Sequence, residues 1–148
     1  MKAITALESG LSGAIGLTMI HQVVKTLNPN APRMDLLGMN ALAKLLHLTK
    51  SKLPSKNNLY GWTLAGDIAG NAVFYSLASI ARNKNVWVKG TLLGLGAGIG
   101  AVLLPEPMGL EPRFSNRTLE TKLLTIGLYV AGGLIAAATT KLLERFRP

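Results

Sequence analysis

Asp67, Asn71 and Tyr75 recur every four residues inside a stretch, 57–81, in which Asp67 is the one charged residue. On a helix that spacing puts all three on one face. An ionisable side chain in an apolar span costs about 3 kcal/mol or more, and marks a functional site by default. Two further polar residues fall in other apolar stretches: His21 in the first and Tyr129 in the last. Counted from a first span ending near residue 27 and a second starting at Gly61, His21 and Asp67 each lie about six residues in, roughly 9 Å at the helical rise. Antiparallel neighbours would hold them at one level, with Tyr129 slightly deeper, near Asn71.

Three kinds of chemistry fit this constellation. A His and an Asp in low dielectric perturb each other and relay protons or cations. The same residues also suit a hydrogen-bonded clasp that fixes helix register, worth about 0.6–2 kcal/mol per contact. In the third reading Lys25 pairs with Asp67 as charge compensation.

Other reactive chemistry is sparse. The chain has no Cys, which removes disulfides, thiolate metal sites and a Cys nucleophile. His21 and His47 are the only histidines, and no metal-binding spacing occurs around either, so no metal and no cofactor is expected. Gly94-Leu95-Gly96-Ala97-Gly98 resembles a dinucleotide fingerprint only superficially, because no strand precedes it. Glu106 and Glu111 read as solvated loop charges. A non-enzyme is expected; a lipid-active enzyme using His47 or Glu106 is the remaining catalytic reading. The basic residues are dispersed rather than clustered with aromatics, which argues against nucleic acid.

The elements that must position these residues follow from composition. The chain has 148 residues, 49% hydrophobic and 16% charged, with a net charge of +9. A soluble domain carries about 25% charged residues. Mean hydropathy is +0.32. Four stretches approach the roughly 20 apolar residues needed to cross a bilayer: about 10–27, 61–81, 86–105 and 122–141. The reading is one all-α integral membrane domain, a bundle of about four transmembrane helices. Tyr60, Trp62 and Trp87 stand at span starts, as in an aromatic belt. A fifth helix is expected over about 32–50, where Met34, Leu37, Ala41, Leu45 and Leu48 share one face while Asn40, Lys44, His47 and Ser51 fall on another. It is too short to span and suits the interface, with Lys44, Lys50, Lys52 and Lys56 near lipid headgroups. The Pro-rich run 105–112 ends the third span.

Helix packing is expected at glycines, since small residues let backbones approach where no hydrophobic effect acts between helices. Gly66 and Gly70 form a GxxxG in the second span; Gly90, Gly94, Gly96, Gly98 and Gly100 form overlapping sets in the third. The face holding both termini (face A) carries Lys2, Arg82, Lys84, Lys89, Lys141, Arg145 and Arg147 in short segments. The other (face B) carries Lys25, Arg33, Lys44, Lys50, Lys52, Lys56, Arg113, Arg117 and Lys122 in longer ones. Short loops weigh most in the positive-inside rule, so both termini are expected in the cytoplasm, in a bacterial inner (plasma) membrane. The expected function is a non-catalytic packing, scaffold or accessory role, as a homo-oligomer through the Gly-rich third span or with a membrane-protein partner. The alternative is a small transporter or channel moving protons, ions or small solutes past Asp67 and His21.

Overall fold

The computed structural model describes residues 2–80 and 85–146. These form six helices: α1 (Lys2–Leu27), α2 (Met34–Leu48), α3 (Lys56–Ile80), α4 (Val86–Leu103), α5 (Arg113–Asn116) and α6 (Leu119–Phe146). The described residues contain no strand. Arg82, Lys84 and Arg147, and Ala81 at the end of the second expected span, lie outside the described residues.

Local sequence explains the breaks. Pro29 and Pro32 follow α1 and cannot continue it, while Pro105 follows α4. Helix α6 opens on a cap: the Thr118 hydroxyl accepts the Thr121 N–H at 3.0 Å, and Glu120 adds an acid to the positive end of the helix. Helix α2 closes on Lys50, whose φ of 56° is left-handed. The turn there sends the Ser51 N–H back to the Leu46 carbonyl at 2.9 Å.

Three helices are long and apolar enough to cross a membrane: α1 over Ala3–Leu27, α4 over Val86–Leu103 and α6 over Leu119–Phe146. The outward faces of these three carry bulky residues such as Leu11, Ile15, Leu92, Ile99, Leu123 and Leu134. Helix α3 matches α1 in length but is not among them, since Asp67, Asn71 and several small residues dilute its apolar character.

The long helices pack in the order α3, α1, α6, α4, each mainly on its neighbours. Gly10 of α1 meets Ala72 and Ser76 of α3, while Gln22 meets Tyr60 at the other end. These contacts make α1 and α3 antiparallel. Gly13 meets Gly132 and Ala136, while His21, two turns on, shares a cavity with Thr125 and Tyr129, so α6 is antiparallel to α1. Gly90, Gly94 and Gly98 descend along α6 from Gly133 to Ile126, so α4 is antiparallel to α6. Helices α1 and α4 thus grip α6 from two sides through small residues. Hydroxyls inside the bundle bond back along their own helices: Thr18 to Ala14, Thr125 to Thr121 and Thr140 to Ala136. This keeps them satisfied where water is scarce.

Helix α2 covers the face-B end of the bundle, against α3 and α5. Its N-terminal half is seated, with Leu37 buried, while Leu45 and Leu48 are exposed. It is therefore both a cap on the bundle and an apolar edge directed away from it. The run after α4 is a series of tight turns, with the Leu110 N–H on the Pro105 carbonyl at 2.8 Å and Gly109 at φ 64°.

Candidate functional site

The site lies where α1, α3 and α6 converge beneath α2. The chain reaches it from the α1–α2 connection. His21 is buried, and its Nε2 lies 2.8 Å from the Pro32 carbonyl oxygen. A carbonyl only accepts, so Nε2 carries the hydrogen of this bond. This bond folds the linker back over α1 and brings Met34 and Asp35 over the bundle.

Asp35 gathers the charge at this mouth. Arg33 contacts it through Nε at 3.1 Å and through Nη2 at 3.0 Å, and Lys25 approaches at 3.3 Å. Burial pushes the Asp35 carboxyl up, but the Arg33 hydrogen bonds and the charges of Lys25 and Arg33 outweigh it and hold it below its ordinary value. Lys25 is therefore committed to Asp35. The expected alternative in which Lys25 compensates Asp67 is corrected here: the linker delivers Asp35, a nearer carboxylate, to that lysine.

Below the mouth are two adjoining cavities. The first, about 30 Å³, is lined by Gln22, Tyr60, Thr63 and Asp35, and shares Thr18, His21, Met34 and Asp67 with the second. The second, about 20 Å³, adds Leu17, Thr125, Leu128 and Tyr129. A water needs about 10–15 Å³, so together they have room for roughly three to five. Gln22 donates to the Tyr60 hydroxyl at 3.2 Å across the rim.

The five residues of the expected polar cluster are distributed in layers. His21 and Asp67 line both cavities, and Tyr129 lines the deeper one. Asn71 donates from Nδ2 to Asp67 Oδ1 at 3.0 Å, which fixes the carboxylate on its own helix. Tyr75 sits one turn further on, fully buried, and donates its hydroxyl to the Tyr129 carbonyl at 2.7 Å. Its ring packs edge-on against Phe74 and lies over Gly132, where an added Cβ would come within 2.9 Å of Tyr75 Cε2. Tyr75 thus closes the polar layer on the side of face A.

The glycines divide into two groups. Gly90, Gly94 and Gly98 are buried on α6, and a Cβ at Gly94 would fall 2.6 Å from the Tyr129 carbonyl oxygen. Gly100 meets the tip of Leu104 at 3.4 Å, and Gly66, Gly70 and Gly96 face open space. Of the lysines expected near lipid headgroups, Lys44 donates to the Met108 carbonyl at 2.6 Å and reaches Gly109, tying α2 to the loop after α4. Lys50, Lys52 and Lys56 are exposed along the α2–α3 connection.

Two contributors carry weaker sequence signals. Asp35 reads from sequence as a helix-start acid, with nothing to announce its two cationic partners. Thr63 reads as an ordinary polar residue near a span start. Yet among the described residues its Oγ1 is the buried side-chain polar atom without a hydrogen-bond partner. Its position one turn before Asp67 is the available clue. No protein-family model matches the chain, and no curated protein or solved structure matches it.

Proposed function

We propose that this chain is a small four-span membrane protein with a non-catalytic, assembly-based role, and that its partner is a second copy bound through α3. Helix α3 lies along α1 from the Gln22–Tyr60 contact to the Gly10–Ser76 contact. Where α1 crosses a bilayer, α3 is carried to the same depth, which supports reading it as the fourth span. Its moderate hydropathy then needs a reason, and a protein-facing surface supplies one.

The observation that carries the assembly reading is the outward face of α3. Ala65, Gly66, Ala69 and Gly70 form an exposed stripe there, and neither glycine has a neighbour within 4 Å. Lipid gives such a surface little dispersion energy, whereas a second small-residue stripe lets two backbones approach closely. The Gly90–Gly94–Gly98 stripe of α4 is already taken by α6, which moves the oligomer reading from α4 to α3.

Because the chain has no Cys, Ala69→Cys offers a single reporter thiol. In a twofold α3 pair this variant forms a disulfide-linked dimer in the membrane on mild oxidation. Gly66→Leu and Gly70→Leu, added separately, weaken the dimer about tenfold, or roughly 1.4 kcal/mol. Gly96→Leu on α4 leaves it unchanged. A chain that stays monomeric by native mass spectrometry, with no Ala69→Cys cross-link, removes this reading.

A further inference from the structure

We infer that the cavity at Asp67 is a binding site for one partly dehydrated monovalent cation of sodium size, entered from face B and closed towards face A. The reading is independent of how α3 pairs with a second copy.

The first ground is the donor set. Besides Asp35, five residues that carry side-chain oxygens line the first cavity: Thr18, Gln22, Tyr60, Thr63 and Asp67. Each keeps accepting capacity. Thr18 donates its hydrogen to Ala14, Gln22 donates through its nitrogen, and Asn71 occupies only one Asp67 oxygen. Hard oxygens of this kind suit alkali and alkaline-earth cations. One available carboxylate among neutral oxygens matches a single positive charge, whereas divalent ions draw on several carboxylates.

The second ground is the unmet hydroxyl. Thr63 Oγ1 is buried, lacks a hydrogen-bond partner and stands one turn from Asp67 on the cavity wall. A buried polar atom left unpaired costs about 1–3 kcal/mol. Gly38 of α2 creates this burial, because a Cβ there would come within 2.5 Å of Thr63 Cγ2. The roof is thus built close to Thr63, and an ion or water in the cavity supplies the missing partner.

The third ground is access and closure. At the mouth, Asp35 is neutralised by Arg33 and Lys25, leaving one net positive charge at the rim. That charge opposes cation entry, so occupancy is weak, with half-saturation on the order of millimolar. His21 stands beside Asp67 on the cavity wall, its Nε2 hydrogen spent on Pro32. The Tyr75–Tyr129 bond seals the far side, so the site is a dead-end pocket in this conformation.

The test uses purified full-length protein in detergent, with sodium chloride exchanged for potassium or choline chloride at constant ionic strength. Ligand binding to the folded state raises Tm by mass action. Sodium is expected to raise Tm by about 3 °C or more over choline, with potassium in between. Asp67→Asn abolishes the difference, and Thr63→Val, which keeps the shape of the side chain, raises the half-saturating sodium concentration about tenfold. Identical wild-type Tm values in sodium and choline overturn the site and leave the cavity to water. A Tm that follows pH but not sodium overturns it in favour of a proton. A sodium response unchanged in Thr63→Val also overturns it. The wild-type comparison needs no variant, so a poorly folding Asp67→Asn does not blunt the result.

Discussion

Asp35 shows how one side chain connects the linker, the first helix and the cavity mouth. Its side chain is only 10% exposed, and it holds Lys25 and Arg33 together. Its carboxyl is held below the ordinary value because the two cations outweigh its desolvation. A depressed carboxyl contributes stability that is fully present above its unfolded pKa of about 3.9 and fades as pH falls through the lower folded value. Thermal unfolding of the wild type between about pH 6 and pH 3 therefore declines on the acid side, and Asp35→Asn removes part of that slope. At neutral pH Asp35→Asn costs about 1 kcal/mol, the scale of partly exposed ion pairs. An unchanged acid slope in Asp35→Asn contradicts this account. Glu111 contributes to the slope that remains, since the hydrogen bond from Arg113 lowers its carboxyl. Much of the polar site is legible at this scale, because periodicity places Asp67, Asn71 and Tyr75 on one face and antiparallel depth brings His21 to Asp67. The Asp35 partnership is not legible, since it depends on a linker trajectory set by long-range bonds from His21 to Pro32, from Arg117 to Pro29, from Thr121 to Asn30 and from Arg33 to Phe114.

Spacing separates the glycines of α4 more finely than their density suggests. Residues 90, 94 and 98 return to one stripe, while Gly96, two residues from each neighbour, points about 160° away at 100° per residue. The buried stripe sets the distance between α4 and α6. Gly94→Ala places a methyl against the Tyr129 carbonyl and Val130 backbone, and overpacking of this kind costs about 1–3 kcal/mol. Gly96→Ala meets nothing within 4 Å and gains up to about 1 kcal/mol from helix propensity. Unfolding of the two variants in detergent should therefore move in opposite directions; equal losses would show that the stripe does not set the helix distance. A GxxxG motif tells that a close approach is available but not which helix uses it. That is why α4 and α3 look alike in sequence, although the stripe of α4 is covered by α6 and the stripe of α3 is bare.

For the whole molecule, the question with the largest consequence is whether α3 crosses the bilayer. Hydropathy alone selects α1, α4 and α6, and an odd number of crossings would put the termini on opposite sides. The proposed count is four, and the antiparallel packing of α3 along α1 supports it. Four crossings place the α2–α3 connection and the loop after α4 together on face B, opposite the start of α4. Ser51, Asn85 and Met108 are exposed, and the Cys-free background makes each a clean site for a membrane-impermeant maleimide. With four spans and both termini inside, Ser51→Cys and Met108→Cys label from outside intact cells, and Asn85→Cys labels only after the membrane is opened. This is the orientation expected from the Lys and Arg residues of the short face-A segments. Asn85→Cys labelling from outside while the other two stay protected reverses the orientation and keeps the four spans. Asn85→Cys behaving like Ser51→Cys, with Met108→Cys opposite, removes α3 from the membrane. The exposed Ala65–Gly70 stripe and the oxygen-lined cavity would then both face water, and their chemistry would need a different reading.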